Sequence, residues 1–342
     1  MSWAAHVRVG VALATTALAA LACGGGDTAR VTIPAGATMR AAAESLSRGG
    51  VVRWPALSSA YARVRGRDRG IKAGTYLLVT GASWNAILSA LRGGGSVITV
   101  LVPEGFTVTQ IDSVLRARLS VSADSVAAAV RDTAVLRRLD VPTATLEGYL
   151  FPDTYFFPPG TSARSAIATM VRRFEQQWRP EWRGRLDSVA MTRHDIVTLA
   201  SIVEREARRD EERPLIAAVY VGRLKRGMLL QADPTVQYAL PQYQRRLLLR
   251  HLTVDSPYNT YRHRGLPPGP IAAPGVASIR AALYPANVPF LYFVAFPDGH
   301  HEFRMNVEQH LAAVRAARRA WDTLERSRRT PAAAASPSPA RP

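Results

Sequence analysis

Lysine is almost missing from this chain. Of 44 basic residues only Lys72 and Lys225 are lysines; the rest are arginine, set against 26 acidic residues for a formal charge of +18. The arginines are scattered, with no long basic run interleaved with aromatics, so the charge does not describe a nucleic-acid footprint. A polyanionic envelope surface suits it better. Cysteine is reduced to Cys23 alone, which excludes an intramolecular disulfide and, so near the start, a cysteine nucleophile. There is no Gly-x-Ser-x-Gly elbow, no phosphate-binding glycine loop and no His-Glu-x-x-His helix. His300, His301 and Glu302 stand together, but neighbours on a strand point to opposite faces, so metal ligation is not expected there. No metal and no cofactor are implied.

A bilayer-length apolar run is lacking too. Behind Arg8, residues 9–22 form an uncharged Ala/Leu/Val-rich stretch of 14 residues, the length of a signal-peptide core and short for a membrane span. It ends in Ala20-Leu21-Ala22-Cys23, similar to a lipoprotein cleavage site with lipid on Cys23, although Ala20 stands where such sites usually carry leucine. The alternative is an uncleaved anchor reaching Gly26, about 18 residues long. Both readings tether residues 30 onward to a bacterial cell membrane on its extracytoplasmic side.

What is present is periodic. At 342 residues there is room for two or three domains. Val31-Thr32-Ile33-Pro34-Ala35-Gly36-Ala37-Thr38 reads as strand, turn and helix cap. Val100-Leu101-Val102-Pro103-Glu104-Gly105-Phe106-Thr107 repeats the design at an offset of 69. Such small α+β modules resemble LysM-type glycan-binding domains; a purely structural spacer is the alternative. From about residue 121 the pattern becomes mixed α+β, with helix over 122–139 and a Pro/Gly-rich loop over 257–275. A hairpin is expected over 290–305, then a basic amphipathic helix from Asn306. We divide the chain into an anchor and linker (1–29), a LysM-like region (30–120), a catalytic-size α+β domain (121–328) and a low-complexity, disordered tail (329–342).

The chemistry points to one helix. Thr192 and Asp195 form a capping-box start, and Ile196, Leu199, Ala200, Val203 and Ala207 follow the helical period. Glu204 then lies about 80° from the centre of that apolar face. An acid half sunk in apolar surroundings keeps its proton near neutrality and can donate it. Glu206 falls on the opposite shoulder, roughly 160° away, so this helix offers one acid and no acid–nucleophile pair. Taken alone, both glutamates also read as ordinary boundary residues. Further polar candidates sit in loops. Gln231 and Asp233 follow a short strand, with Asp233 in a turn and Thr235 capping the next helix; Asp233 is equally a plain turn residue. Tyr258, Asn259 and Tyr261 in the stiff loop suit a sugar-binding wall, where rings stack and amides bond hydroxyls. A loop merely packed on its domain fits them as well.

Several ordered motifs together are more specific: Leu146-Glu147-Gly148-Tyr149-Leu150-Phe151-Pro152-Asp153-Thr154-Tyr155, Ala200-Ser201-Ile202-Val203-Glu204-Arg205-Glu206, Leu230-Gln231-Ala232-Asp233-Pro234-Thr235-Val236-Gln237-Tyr238, Pro257-Tyr258-Asn259-Thr260-Tyr261, and Gly265-Leu266-Pro267-Pro268-Gly269-Pro270-Ile271. In these the chain resembles the MltG (YceG-like) endolytic murein transglycosylases over residues 30–325. The resemblance implies a LysM-like region, a C-terminal catalytic domain, and non-hydrolytic cleavage of peptidoglycan glycan strands, often linked to ending strand synthesis. It implies Glu204 as the catalytic glutamate and wall synthases as partners. Gln231, Asp233, Tyr258, Asn259 and Tyr261 become the sugar-positioning candidates, and Glu206 and Glu147 groups that hold local structure. The rival readings are a muramidase-type hydrolase with Asp233 as base and a non-catalytic wall-binding scaffold.

Overall fold

The computed structural model describes residues 28–94, 97–244 and 246–329. The anchor segment with Cys23 and the tail beyond residue 329 lie outside them. Among the described residues no helix is long and apolar enough to cross a membrane. The protein is α+β and divides into two compact units, with the division between Ser96 and Val97.

In the first unit, β1 (Thr28–Ile33) and β2 (Gly74–Val79) pair antiparallel, Val31 opposite Tyr76. Between them run α1 (Met39–Arg48) and α2 (Pro55–Val64), and α3 (Trp84–Gly93) follows. Alternation in β1 turns Val31 and Ile33 inward. They pack with Leu46, Tyr76, Ile87 and Leu91 in a small core.

The second unit begins with β3 (Ile98–Val102), α4 (Val108–Leu119), α5 (Ala123–Val130) and α6 (Thr133–Arg138). β4 (Asp153–Phe157) pairs antiparallel with β3, Val100 opposite Tyr155. The sequence boundary at residue 120 therefore falls inside a compact unit. The second copy of the strand–turn–helix repeat is tied by β3 to a strand fifty residues downstream, a pairing no local pattern announces.

Next come α7 (Ala163–Gln177), α8 (Glu181–Val189), α9 (Arg193–Glu206) and α10 (Arg213–Lys225). After them follow α11 (Asp233–Ala239), α12 (Val276–Leu283), the hairpin of β5 (Tyr292–Ala295) and β6 (His301–Arg304), and α13 (Val307–Arg329).

The centre of this unit is α9. Its start is the capping box of Thr192 and Asp195. Every residue from Ile196 to Val203 is buried, including Thr198 and Ser201, so the helix is enclosed all round rather than lying with one apolar face inward. The Pro/Gly-rich loop is laid along it. Ser201 Oγ donates to the Thr198 carbonyl at 2.7 Å and accepts from Ile271 N–H at 3.0 Å. A Cβ on Gly148 would stand 2.4 Å from the Pro270 ring and 3.1 Å from Val197, so only glycine lets that stretch lie against both loop and helix. His194 completes the clamp, its Nε2 2.9 Å from the Pro268 carbonyl and its Nδ1 3.0 Å from the Tyr149 hydroxyl.

Two local expectations are corrected. Residues 228–232 form no strand. Thr235 does not cap a helix: α11 starts at Asp233, and Thr235 is buried inside it, bonded to the Ala232 carbonyl and to Thr260. Pro234 is accepted in the first turn because its missing N–H has no partner to lose there.

Candidate active site

Helix α9 ends at Glu206, and its last turn presents Glu204. The Glu204 side chain is only 6% exposed and held at two points. Oε1 accepts from Arg213 Nη1 at 3.1 Å, and Oε2 accepts from the backbone N–H of Gly275 at 3.0 Å. Arg213, 10% exposed, also donates to Asp210 at 3.1 Å and to Ser278 Oγ at 2.5 Å. The expected half-apolar shoulder is thus corrected. Glu204 faces a charged network on the side away from the core. Arg213 comes from the next helix, after the chain has turned back, so the wheel of α9 alone could not reveal it.

A second carboxylate, absent from the sequence reading, lies beside this one. Glu104 sits in the turn between β3 and α4. That turn is fixed to the loop preceding α12 by two backbone bonds, Gly105 N–H to the Ala273 carbonyl at 2.8 Å and Ala273 N–H to the Phe106 carbonyl at 2.7 Å. Arg205 Nη1 adds a bond to the Gly105 carbonyl at 3.3 Å. The residue is exposed as a whole, but its carboxylate lies over Gly275: a Cβ there would stand 1.9 Å from Glu104 Oε1. Glu204 and Glu104 therefore flank the same glycine. Burial, and after it the charge of Glu204, push the Glu104 carboxyl above its ordinary range, while Arg213 pulls the other way. A signal existed in the repeat, since Glu104 occupies the register position that Ala35 holds in the first copy.

The turn owes its position to α4. Thr107 and Gln110 form a capping box. Both oxygens of buried Glu147 accept from Val108 N–H at 3.1 Å, a carboxylate at a helix N-terminus. Burial still pushes Glu147 up to about 7, against the bonds from Val108 and Tyr238.

The other candidates separate into two groups. Asp233 accepts from the Tyr261 hydroxyl at 2.6 Å, and Gln231 N–H bonds the neighbouring Thr260 carbonyl at 3.1 Å. Gln231 is held at φ 50°, a left-handed conformation rare outside glycine. Next to them, Glu206 accepts from the Tyr220 hydroxyl at 2.7 Å; burial foremost, then the charge of Asp233, push it up to about 7. Tyr258 turns elsewhere, its ring 4.9 Å from that of Tyr238, whose hydroxyl bonds Glu147 at 3.3 Å. Asn259 is fully buried. Its amide donates to the Leu252 and Val254 carbonyls at 2.9 and 2.8 Å, and its oxygen accepts from Tyr261 N–H at 3.0 Å. Its side chain shapes the loop from within. His301, the first residue of β6, turns to buried Glu212 at 2.6 Å, and His300, before the strand, to Asp298 at 2.5 Å.

The model of the YceG-like family matches residues 31–316. The chain belongs to the YceG-like family. Within it, the chain is 35% identical over 303 residues to a Bacillus subtilis (strain 168) protein named endolytic murein transglycosylase, covering 83% of each. It is 29% identical over 313 residues to a protein of the same name from Streptococcus pneumoniae serotype 2, covering 82% of this chain and 56% of that one. Among solved structures, a YceG-like protein of Listeria monocytogenes superimposes with a TM-score of 0.60 at 31% identity, over 83% of this chain and 98% of the other. The YceG-like match takes in both carboxylates at Gly275 and the whole of the loop laid on α9.

Proposed function

We propose that this protein is an endolytic lytic transglycosylase of peptidoglycan, with Glu204 as its acid and base. The observation that carries the reading is the two-point grip on a nearly buried carboxylate at the end of a rigid helix, in a chain whose relatives bear the name endolytic murein transglycosylase. Ordinary glycosidases need two carboxylates, an acid and a nucleophile or base. A lytic transglycosylase needs one in principle. Protonated Glu204 donates to the glycosidic oxygen between N-acetylmuramic acid and N-acetylglucosamine, and the C1–O bond breaks. Its carboxylate then takes the proton from the muramic C6 hydroxyl as that oxygen bonds C1. The product is a 1,6-anhydro end, and no water is consumed.

In this scheme Arg213 holds the anion that remains after the first proton leaves, which favours donation. Asp233, Gln231 and Tyr261, grouped beside Glu206, offer a carboxylate, an amide and a ring for sugars, and Tyr258, against Tyr238, offers a ring apart from them. The first unit, with its β–α–α–β order, serves as a LysM-like glycan-holding module. The N-terminal segment tethers the enzyme to the membrane, where wall synthases supply nascent strands.

A second reading draws on Glu104, because a carboxylate beside Glu204 is what a muramidase-type hydrolase would use to activate water. Mass spectrometry of chain ends released from purified sacculi separates the two. Anhydromuramic ends are expected; reducing ends would mean hydrolysis, and an intact sacculus would leave a wall-binding scaffold.

A further inference from the structure

We propose that Glu104 is a working carboxylate of this site, sharing a single proton with Glu204 across Gly275. The proposal rests on the assignment of Glu204 above and adds a residue to it. Three facts of geometry carry it. Gly275 donates its N–H to Glu204 Oε2 at 3.0 Å, while the space where its Cβ would stand is filled by Glu104 Oε1. The Glu104 turn cannot drift, being bonded on both sides to Ala273 and to Arg205. And Glu104 is the exposed residue of the pair, whereas the Glu204 side chain is 6% exposed.

The charges around the pair leave room for one proton. Glu104 comes from the β3–α4 turn, Glu204 and Arg205 from α9, Asp210 from the turn after it and Arg213 from α10; α12 contributes only the neutral Ser278. Asp210 is 85% exposed and screened by water, and Arg205 turns to the Gly105 carbonyl, so at the pair itself two carboxylates face the one guanidinium of Arg213. Fully ionised, the group carries an excess negative charge at the point where the substrate oxygen must be protonated. One proton removes that excess, and two adjacent carboxylates hold it as a unit. The mutual repulsion of the two carboxylates favours a proton on the pair, and Arg213 receives the anion that donation leaves. Glycine at 275 is what leaves room for the Glu104 carboxylate over the residue whose N–H holds Glu204.

The test is the pH profile of anhydromuropeptide release from sacculi by the full chain, between about pH 4 and pH 9. Glu104→Gln removes the neighbouring charge. The site then releases its proton more easily, and the alkaline limb should move to lower pH by about one unit, a tenfold loss of rate on that limb with little change on the acid side. Glu104→Asp, which keeps the charge, should return the limb toward the wild type. Gly275→Ala, which displaces the Glu104 carboxylate but keeps the N–H bond to Glu204, should shift it in the direction of Glu104→Gln. An unmoved profile in Glu104→Gln, or equal loss at every pH in both Glu104 variants, overturns the shared proton. Glu204→Gln run alongside separates the two assignments. If it is inactive while the Glu104→Gln profile is unmoved, only this inference fails. If it cleaves at full rate, the assignment of Glu204 fails as well.

Discussion

Residues 31–38 and 100–107 build one backbone device twice. Each strand ends in a proline and a turn glycine, Gly36 at φ 72° and Gly105 at φ 76°, and each threonine caps the next helix through its side chain. Their surroundings differ. A Cβ on Gly36 would meet nothing within 4 Å, while one on Gly105 would touch Arg205 at 3.5 Å and Glu204 at 3.8 Å. Between proline and glycine the first copy carries exposed Ala35 and the second Glu104. The turn is shared scaffolding; the chemistry enters with one side chain and with what the second unit packs against it.

Arg213→Ala is the harshest way to break this contrast, because it strips the cation from the second copy's surroundings. Leaving Glu204 buried without its partner should cost about 3 kcal/mol of stability, and loss of anion stabilisation should lower anhydromuropeptide release about a hundredfold or more. Calorimetry and a release assay read the two effects.

A paired glycine exchange sharpens the comparison. Gly36→Ala and Gly105→Ala should each cost about 1–2 kcal/mol, since both force a side chain into the left-handed region. Only Gly105→Ala should also depress catalysis, through the Glu104 turn and Arg205. Equal kinetic effects would erase the distinction between the copies.

pH distinguishes the units more gently. Glu44 and Asp68, the acidic residues described in the first unit, lie outside its core, whereas the second unit buries Glu147 and half-buries Glu206, whose carboxyl is enclosed against Tyr220. Both are pushed up to about 7, so the folded state binds their protons more tightly than the unfolded chain does. The stability they confer is complete below about 4.5 and is lost as pH rises through about 7. The unfolding midpoint of the second unit should fall across that window, and Glu206→Gln should flatten the fall. The smallest effect belongs to the caps: Thr38→Ala and Thr107→Ala should each cost about 1 kcal/mol. Thr107→Ala should cost slightly more, because Gln110 completes a box there.

Local pattern made much of this legible. The hairpin of β5 and β6, the helices of 122–139, the capping box of α9 and the irregular loop over 257–275 all follow from period and punctuation within a few residues. What escaped was set by distance in the chain. The pairing of β3 with β4, the enclosure of α9 on every side and the ion pair of Glu204 with Arg213 need neighbours that no single helix or strand names. Asn259 was legible as a polar loop residue, but the carbonyls its amide serves come from the loop's own curl. Glu104 stood in plain view as the odd member of a repeat. Only the docking of its turn on the loop before α12 brings it to Glu204.

The most direct measurement is the rate at which Glu204→Gln releases anhydromuropeptides from purified sacculi, with its fold checked by thermal unfolding. An amide of the same shape keeps an acceptor for Gly275 but cannot exchange the proton. The account expects a folded protein whose rate falls by about two to four orders of magnitude. A variant that releases these products as fast as the wild type would contradict it.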